Sequence, residues 1–221
     1  MSAFVVRLVS LLIGYVCGSV LTADIVCRRC VGRPVSEVGS GNPGMANVMA
    51  NVGTVPGIVV LVGDIAKTAI AMGVSYLVFQ EYAAALYAGF GAIFGHNFPL
   101  WNRGRGGKGV TVTCVWLVLS FGWWGLLACI AGGIVVVFTG WLPLGAVVIT
   151  TVAIPVAFLT KGTEAGVLSV IACVIMFSRH WHGLRRIVRG EEPAHMKFFN
   201  IKKKESTPES EPEAELKDKQ K

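Results

Sequence analysis

Three polar stretches interrupt an otherwise oily chain, and each holds residues able to do chemistry. The first is Gly39-Ser40-Gly41-Asn42-Pro43-Gly44-Met45-Ala46-Asn47. Gly39 and Gly41 let the backbone approach a ligand, and Ser40 and Asn42 can donate hydrogen bonds. A tight interhelical turn with an asparagine cap is the plainer reading of the same residues. The second stretch runs from Gly95 and His96 to Gly106-Gly107-Lys108-Gly109. Backbone N–H groups of so glycine-dense a loop can converge on an anion, and Lys108 adds a full charge. It reads as a phosphate cradle beside a membrane, with a basic turn next to lipid headgroups as the simpler alternative. It lacks the trailing Ser/Thr and the preceding strand of a nucleoside-triphosphate loop, so that chemistry is disfavoured.

The third stretch is Arg179-His180-Trp181-His182-Gly183, continuing through Arg185, Arg186, Arg189, Gly190 and Glu192. His180 and Arg186 do not share one clean helical face, so their convergence calls for a helix that ends near Gly183. His180 and His182 are badly spaced for one face and lack a carboxylate partner, so no metal site is expected. Asp64 and Lys67 stand three apart in an apolar segment. Either charge alone in lipid is costly, whereas a pair turned into a helical bundle is tolerable. Their job is structural support, either as a pair or by positioning the loop glycines.

The elements that must position these residues are membrane helices. Over half of the 221 residues are hydrophobic, at 53%, and the mean hydropathy is +0.63. Several windows approach the length needed to cross a bilayer core. The fold class is therefore all-α, a polytopic membrane helical bundle over residues 1–198, with a disordered charged tail at 199–221. The first apolar segment lacks a convincing small-residue cleavage site and reads as a retained span rather than a signal peptide. The last twenty residues carry six charges of each sign, so the net +7 belongs to the membrane part. Its cations gather in three places: Arg28, Arg29 and Arg33; Arg103, Arg105 and Lys108; and Arg179, Arg185, Arg186, Arg189 and Lys197. An excess of Lys and Arg marks the cytoplasmic side. Cations that flank lipid-length segments argue against nucleic acid as a partner. Cys27 and Cys30 have no second pair for zinc, and the other four cysteines sit in apolar segments as small packing residues.

Spans are expected at about 4–27, 55–79, 82–100, 143–160 and 164–179. The stretch 110–139 is long for one helix, and Gly122 and Gly125 permit a break near its middle. Parity decides it. The basic stretches at 101–109 and 179–197 share a side only if 110–139 supplies two helices. That gives seven helices, with the N-terminus outside and the C-terminus inside.

Taken jointly and in order, the polar motifs resemble those of the bacterial acyl-phosphate:glycerol-3-phosphate acyltransferases, over about residues 10–192. The first family motif is matched by Gly39-Ser40-Gly41-Asn42, Gly44 and Asn47, and an Asp-x-x-Lys by Asp64 and Lys67. The second is matched by Gly95-His96, Phe98-Pro99 and Gly106-Gly107-Lys108-Gly109-Val110, and the third by His180, Arg186, Gly190 and Glu192. Four positions depart. Pro34-Val35-Ser36 stands where the family usually has Asp-Ile-Arg, and Met45-Ala46-Asn47 where it has Ala-Thr-Asn. Ala50 replaces an arginine, and Gly183 replaces an asparagine. Arg33, Arg185 and Asn51 are the candidates to substitute from shifted positions.

The resemblance implies acyl transfer from acyl phosphate to the 1-hydroxyl of glycerol-3-phosphate, giving lysophosphatidic acid and phosphate, without a cofactor or metal. It implies Ser40, Lys108 and His180 as the catalytic group. Gly39, Gly41, Asn42, Asn47, His96, Gly106, Gly107, Gly109, Arg186 and Glu192 would bind substrate. It further implies a multi-pass protein of the bacterial cell membrane, with the active-site loops cytoplasmic. The implied partners are the two substrates, membrane lipids and the enzyme that produces acyl phosphate. The altered positions keep a second reading open, a weak or inactive relative that binds lipid intermediates. A small anion transporter is a third, against which the motifs cluster on one side and no internal repeat pairs the halves.

Overall fold

The structure is a computed structural model and describes residues 1–193. The charged tail and Lys197 lie outside the described residues. Among the described residues the α-helices are α1 Ala3–Gly18, α2 Thr22–Val31, α3 Met45–Asn51, α4 Thr54–Phe79, α5 Tyr82–Asn97, α6 Val110–Phe121, α7 Trp123–Thr139, α8 Leu142–Lys161 and α9 Thr163–Val188. Four segments are long and apolar enough to cross a membrane: α1 with α2, α4, α8 and α9. α5, α6 and α7 are apolar and shorter. Large apolar side chains face outward along the helices, as on α4 at Ile58, Val62, Ile65 and Val74. A lipid environment makes such a surface the stable one.

Lipid tails are as apolar as leucine, so helices in a bilayer associate by close packing rather than by hydrophobic burial. Glycines four apart supply it here. Gly14 and Gly18 of α1 meet the backbone of Ala88 and Ala92 on α5, where a Cβ would stand within 2.2 Å of a carbonyl oxygen. Gly91 and Gly95 of α5 return the contact against Leu11 and Tyr15. This seam fixes the α5 end that carries His96. Farther along, Trp116 of α6 is fully buried and donates from Nε1 to the Leu86 carbonyl at 3.0 Å, which ties α6 to α5.

Three expectations change. The first span is broken at Ser19–Leu21, between α1 and α2. The broken turn is not left unpaired: Trp101 Nε1 donates to the Ser19 carbonyl at 2.9 Å, and Lys67 donates to the Val20 carbonyl. The polar loop after α2 contains the short helix α3. α9 runs on to Val188, so Gly183 lies inside the helix and does not end it. The stretch 110–139 is two helices, broken at Gly122, whose φ of +60° suits glycine. Lys108 and His180 lie at one end of the bundle, as the parity argument requires. At the other end Arg7 of α1 binds Glu164 of α9, with Nη2 to Oε2 at 2.9 Å.

Candidate functional site

The floor of the site is a buried charge cluster between α4 and α5. Asp64, Lys67 and His96 are each less than a tenth exposed. Lys67 Nζ lies 2.8 Å from Asp64 Oδ1, 2.9 Å from the Val20 carbonyl and 2.8 Å from His96 Nδ1. Thr22 Oγ1 also donates to Asp64 Oδ1, at 3.4 Å. The pair that the sequence read as structural support thus touches a third group, the imidazole. It reaches that imidazole only because the break after α1 frees a carbonyl to hold the ammonium in place.

Above this floor lies the loop from Phe98 to Gly109. The Gly107 N–H donates to the His96 carbonyl at 2.9 Å. Arg179 of α9 donates from Nε to the Gly107 carbonyl at 3.1 Å and from Nη2 to the Gly106 carbonyl at 2.7 Å. Its guanidinium also stands 5.5 Å over the Phe98 ring. A cation that looked like a membrane anchor is therefore the clamp of this loop. The result differs from a cradle built by the N–H groups of Gly106, Gly107 and Gly109. The Gly106 carbonyl and both polar groups of Gly107 are spent holding the loop, while Lys108, Gly109, Val110 and Thr111 line the cavity. Gly109 caps α6 and Val110 and Thr111 begin it, and the first-turn N–H groups of a helix carry the positive end of its dipole. Gly107 is needed for contact: a Cβ there would fall 2.1 Å from His96 Nε2.

Lys108 remains open to the cavity. The protein around it strips part of its water and lowers the ammonium from the ordinary lysine value. Glu192 opposes that shift, and Arg186 and Arg179 add to it. An anion entering the cavity restores the compensation.

The first glycine stretch is shaped by one amide. Asn47 is buried and accepts from the Ser40 N–H at 2.9 Å, while its Nδ2 donates to the Val38 carbonyl at 2.9 Å. Gly39 and Gly41 adopt positive φ to make this turn. Asn42 reaches the cavity; Gly39, Ser40 and Gly41 stand behind it on the exposed side of the loop, and Asn47 lies beneath. Asn51 does not replace a missing arginine, because its Nδ2 is held by the Asn47 carbonyl at 2.9 Å.

α9 supplies the last wall. His180 is buried and donates from Nδ1 to the Met176 carbonyl at 3.0 Å, since a carbonyl can only accept. Its Nε2 is therefore an unprotonated acceptor in the neutral ring. Gly190 turns the chain back at the helix end, and Glu192 returns to Arg186, with Nε to Oε2 at 2.6 Å. Neither lines the cavity; the pair braces the end of α9. Gly183 faces Pro143 of α8, where a Cβ would stand 2.5 Å from Cγ, so the place of the usual asparagine is filled by packing.

Together these pieces enclose a cavity of about 250 Å³. Its polar end is formed by Asn42, Asp64, His96, Lys108 and His180. Its other end is an apolar crevice between α7 and α8, lined by Cys129, Gly133, Val136, Ala146 and Ile149. Arg33 and Arg185 do not reach it, and Arg185 lies over the Trp181 ring at 6.0 Å instead. No group of His, Cys, Asp and Glu able to hold a metal occurs among the described residues.

The fold and this cavity define a class: a polytopic helical membrane protein with a cavity that is polar at one end and apolar at the other. Residues 8–190 match the model of the glycerol-3-phosphate acyltransferase family. A glycerol-3-phosphate acyltransferase 1 from Lactobacillus johnsonii is 39% identical over 170 residues, which cover 76% of this chain and 82% of the relative. One from Lactobacillus acidophilus is 33% identical, covering 90% and 96%. The crystal structure of PlsY (YgiH), an integral membrane glycerol 3-phosphate acyltransferase, in its glycerol 3-phosphate form shares the fold. The TM-score is 0.75 at 20% identity, over 85% of this chain and 94% of that one. This chain belongs to the glycerol-3-phosphate acyltransferase family.

Proposed function

We propose that this protein acylates the 1-hydroxyl of glycerol-3-phosphate with acyl phosphate as donor, releasing lysophosphatidic acid and inorganic phosphate. The observation that carries this reading is the two-ended cavity, a cationic head site continuous with an apolar crevice of lipid character. An acyl phosphate has the same two-ended shape. Its phosphate suits Lys108 and the start of α6, and its chain suits the space between α7 and α8. The acyl carbonyl then lies near His180 and Asn42.

The donor is a mixed anhydride, already activated, so no covalent acyl-enzyme is required. The hydroxyl oxygen attacks the carbonyl carbon, the bond from that carbon to the phosphate oxygen breaks, and the hydroxyl proton ends on the departing phosphate. His180 Nε2 accepts the hydrogen bond of the attacking hydroxyl and orients it. Lys108 and the α6 N–H groups stabilise the charge that gathers on the leaving phosphate. Asn47 holds the first glycine loop through the Ser40 N–H and so sets the position of Asn42 beside the acceptor. The basic residues around this end support a cytoplasmic placement.

The test is an assay of purified protein with palmitoyl phosphate, palmitoyl-coenzyme A and palmitoyl-acyl carrier protein as alternative donors to glycerol-3-phosphate. Lysophosphatidic acid from the first donor alone is expected. Folded protein that makes none from any donor defeats the reading. Arg33, Arg185 and Asn51 all stand outside the cavity, which favours one rival, a relative that binds these ligands without turnover. Ligand binding at undiminished affinity in a protein with no product would select it.

A further inference from the structure

Lys67 Nζ has three neighbours at hydrogen-bond distance: Asp64 Oδ1 at 2.8 Å, the Val20 carbonyl at 2.9 Å and His96 Nδ1 at 2.8 Å. An ammonium has three protons and no lone pair, so three acceptors exhaust it. Asp64 keeps Lys67 charged, because a neutral amine would leave a carboxylate unpaired in the membrane interior. His96 Nδ1 must then be an acceptor. It cannot instead donate to Asp64 Oδ1, which lies 3.8 Å away with Lys67 between them. A neutral imidazole that accepts at Nδ1 carries its proton on Nε2.

That Nε2 has no hydrogen-bond partner among the described residues and lies against Gly107, on the wall of the cavity beside Lys108. We propose that Lys67 is a positioning residue that fixes His96 as the Nε2–H tautomer, and that this N–H donates to the phosphate held at Lys108 and the start of α6. The charged groups that face His96 are Asp64 and Lys67 from α4, Lys108 from the loop and Arg179 from α9. Three of the four are cations, which suits a neutral donor and disfavours an imidazolium. The buried pair is thereby tied to chemistry: it sets the direction of one hydrogen bond two residues removed from the reacting atoms. This inference takes from the acyl-phosphate reading only the identity of the anion.

The experiment is ¹⁵N NMR of the histidine side chains in protein labelled at histidine, with His96 assigned by its absence in His96→Gln. Nδ1 unprotonated and Nε2 protonated at neutral pH is the expected result. Addition of inorganic phosphate should shift the Nε2–H resonance. A protonated Nδ1, as tautomer or imidazolium, overturns the proposal, as does an Nε2–H unmoved by saturating phosphate. The double variant Asp64→Asn with Lys67→Met removes both charges and leaves neither stranded; it is expected to give a mixture of tautomers. If it keeps the pure Nε2–H form, the lock is not Lys67.

Kinetics separate a positioning role from a structural one. His96→Gln places an amide N–H near Nε2 and should hold kcat/KM within about tenfold. His96→Leu should lose about 100-fold, the size of a charge-assisted hydrogen bond. Equal losses in both variants, with both folded, overturn the donor role. The NMR readout needs no turnover, so failure of the acyltransferase reading would appear separately, as a correct tautomer in a protein without product.

Discussion

The two walls of the cavity are built from opposite chemistry. On the α4–α5–α6 wall, His96, Lys108 and the first-turn N–H groups of α6 offer donors, and the one carboxylate there, Asp64, is paired with Lys67. On the opposite wall, Asn42 and His180 are neutral, and the ring nitrogen of His180 that faces inward is an acceptor because Nδ1 is spent on Met176. One wall suits an anion and the other a hydroxyl. The two histidines, each buried and each neutral, differ only in what grips Nδ1: an ammonium at His96 and a carbonyl at His180. A single backbone or side-chain neighbour thus decides whether a histidine offers a proton or a lone pair to the same cavity.

The largest test of the contrast is Lys108→Ala. It removes the cation that lines the cavity on the donor wall, and kcat/KM should fall by about 1000-fold, in the range seen when a donor to a developing charge is lost. Insertion and melting should barely change. Turnover within tenfold of the parent makes the loop a topological anchor. Next is Gly107→Ala, whose methyl group would stand 2.1 Å from His96 Nε2. It should cost about 100-fold, mainly in KM for the acyl phosphate, because a displacement near 1 Å is enough to spoil alignment.

On the neutral wall, Asn47→Ala frees the Ser40 N–H and the Val38 carbonyl. Two hydrogen bonds at about 1 kcal/mol each predict a loss near 30-fold, expressed in KM for glycerol-3-phosphate and not for the donor. A loss expressed in the donor KM would erase the assignment of the two walls. In the tail site, a Cβ at Gly133 meets nothing within 4 Å, so Gly133→Leu should fit. It should shift preference toward shorter acyl chains with little change in the best rate, as a competition assay between chain lengths would show.

The smallest effect is the pH dependence. Lys108 sits below the ordinary lysine value through loss of water, so it gives up its charge earlier as pH rises. KM for acyl phosphate should therefore increase on the alkaline limb. Lys108→Arg, which stays charged, should move that limb to higher pH. An unchanged limb in Lys108→Arg would assign it to another group.

Much of the site was legible in the chain, for identifiable reasons. Asp64 and Lys67 could be paired because a helix brings residues three apart together, and a lone charge in lipid is too costly to leave. The break at Gly122 followed from length and parity. Other features had a visible signal that spacing alone did not single out. Gly14 with Gly18, and Gly91 with Gly95, are four apart in apolar helices, the pattern of close helix contact. Arg179 precedes His180 and so points about a quarter turn away, toward the loop rather than into the cavity. Its hold on two carbonyls lay beyond any reading of residue type.

The amino-acid sequence alone determined that this is a helical membrane protein with its three polar motifs gathered near one end. It also determined the family, because hydropathy is summed along the chain and the motifs keep their order in it. Only the tertiary structure decided which polar groups remain free. The Gly106 and Gly107 carbonyls proved to be committed to Arg179, and the Gly107 N–H to the His96 carbonyl. It alone delivered the Val20 carbonyl to Lys67 across a broken helix. Hydrogen bonds are spent between residues distant in the chain, and no local pattern records where each donor is used.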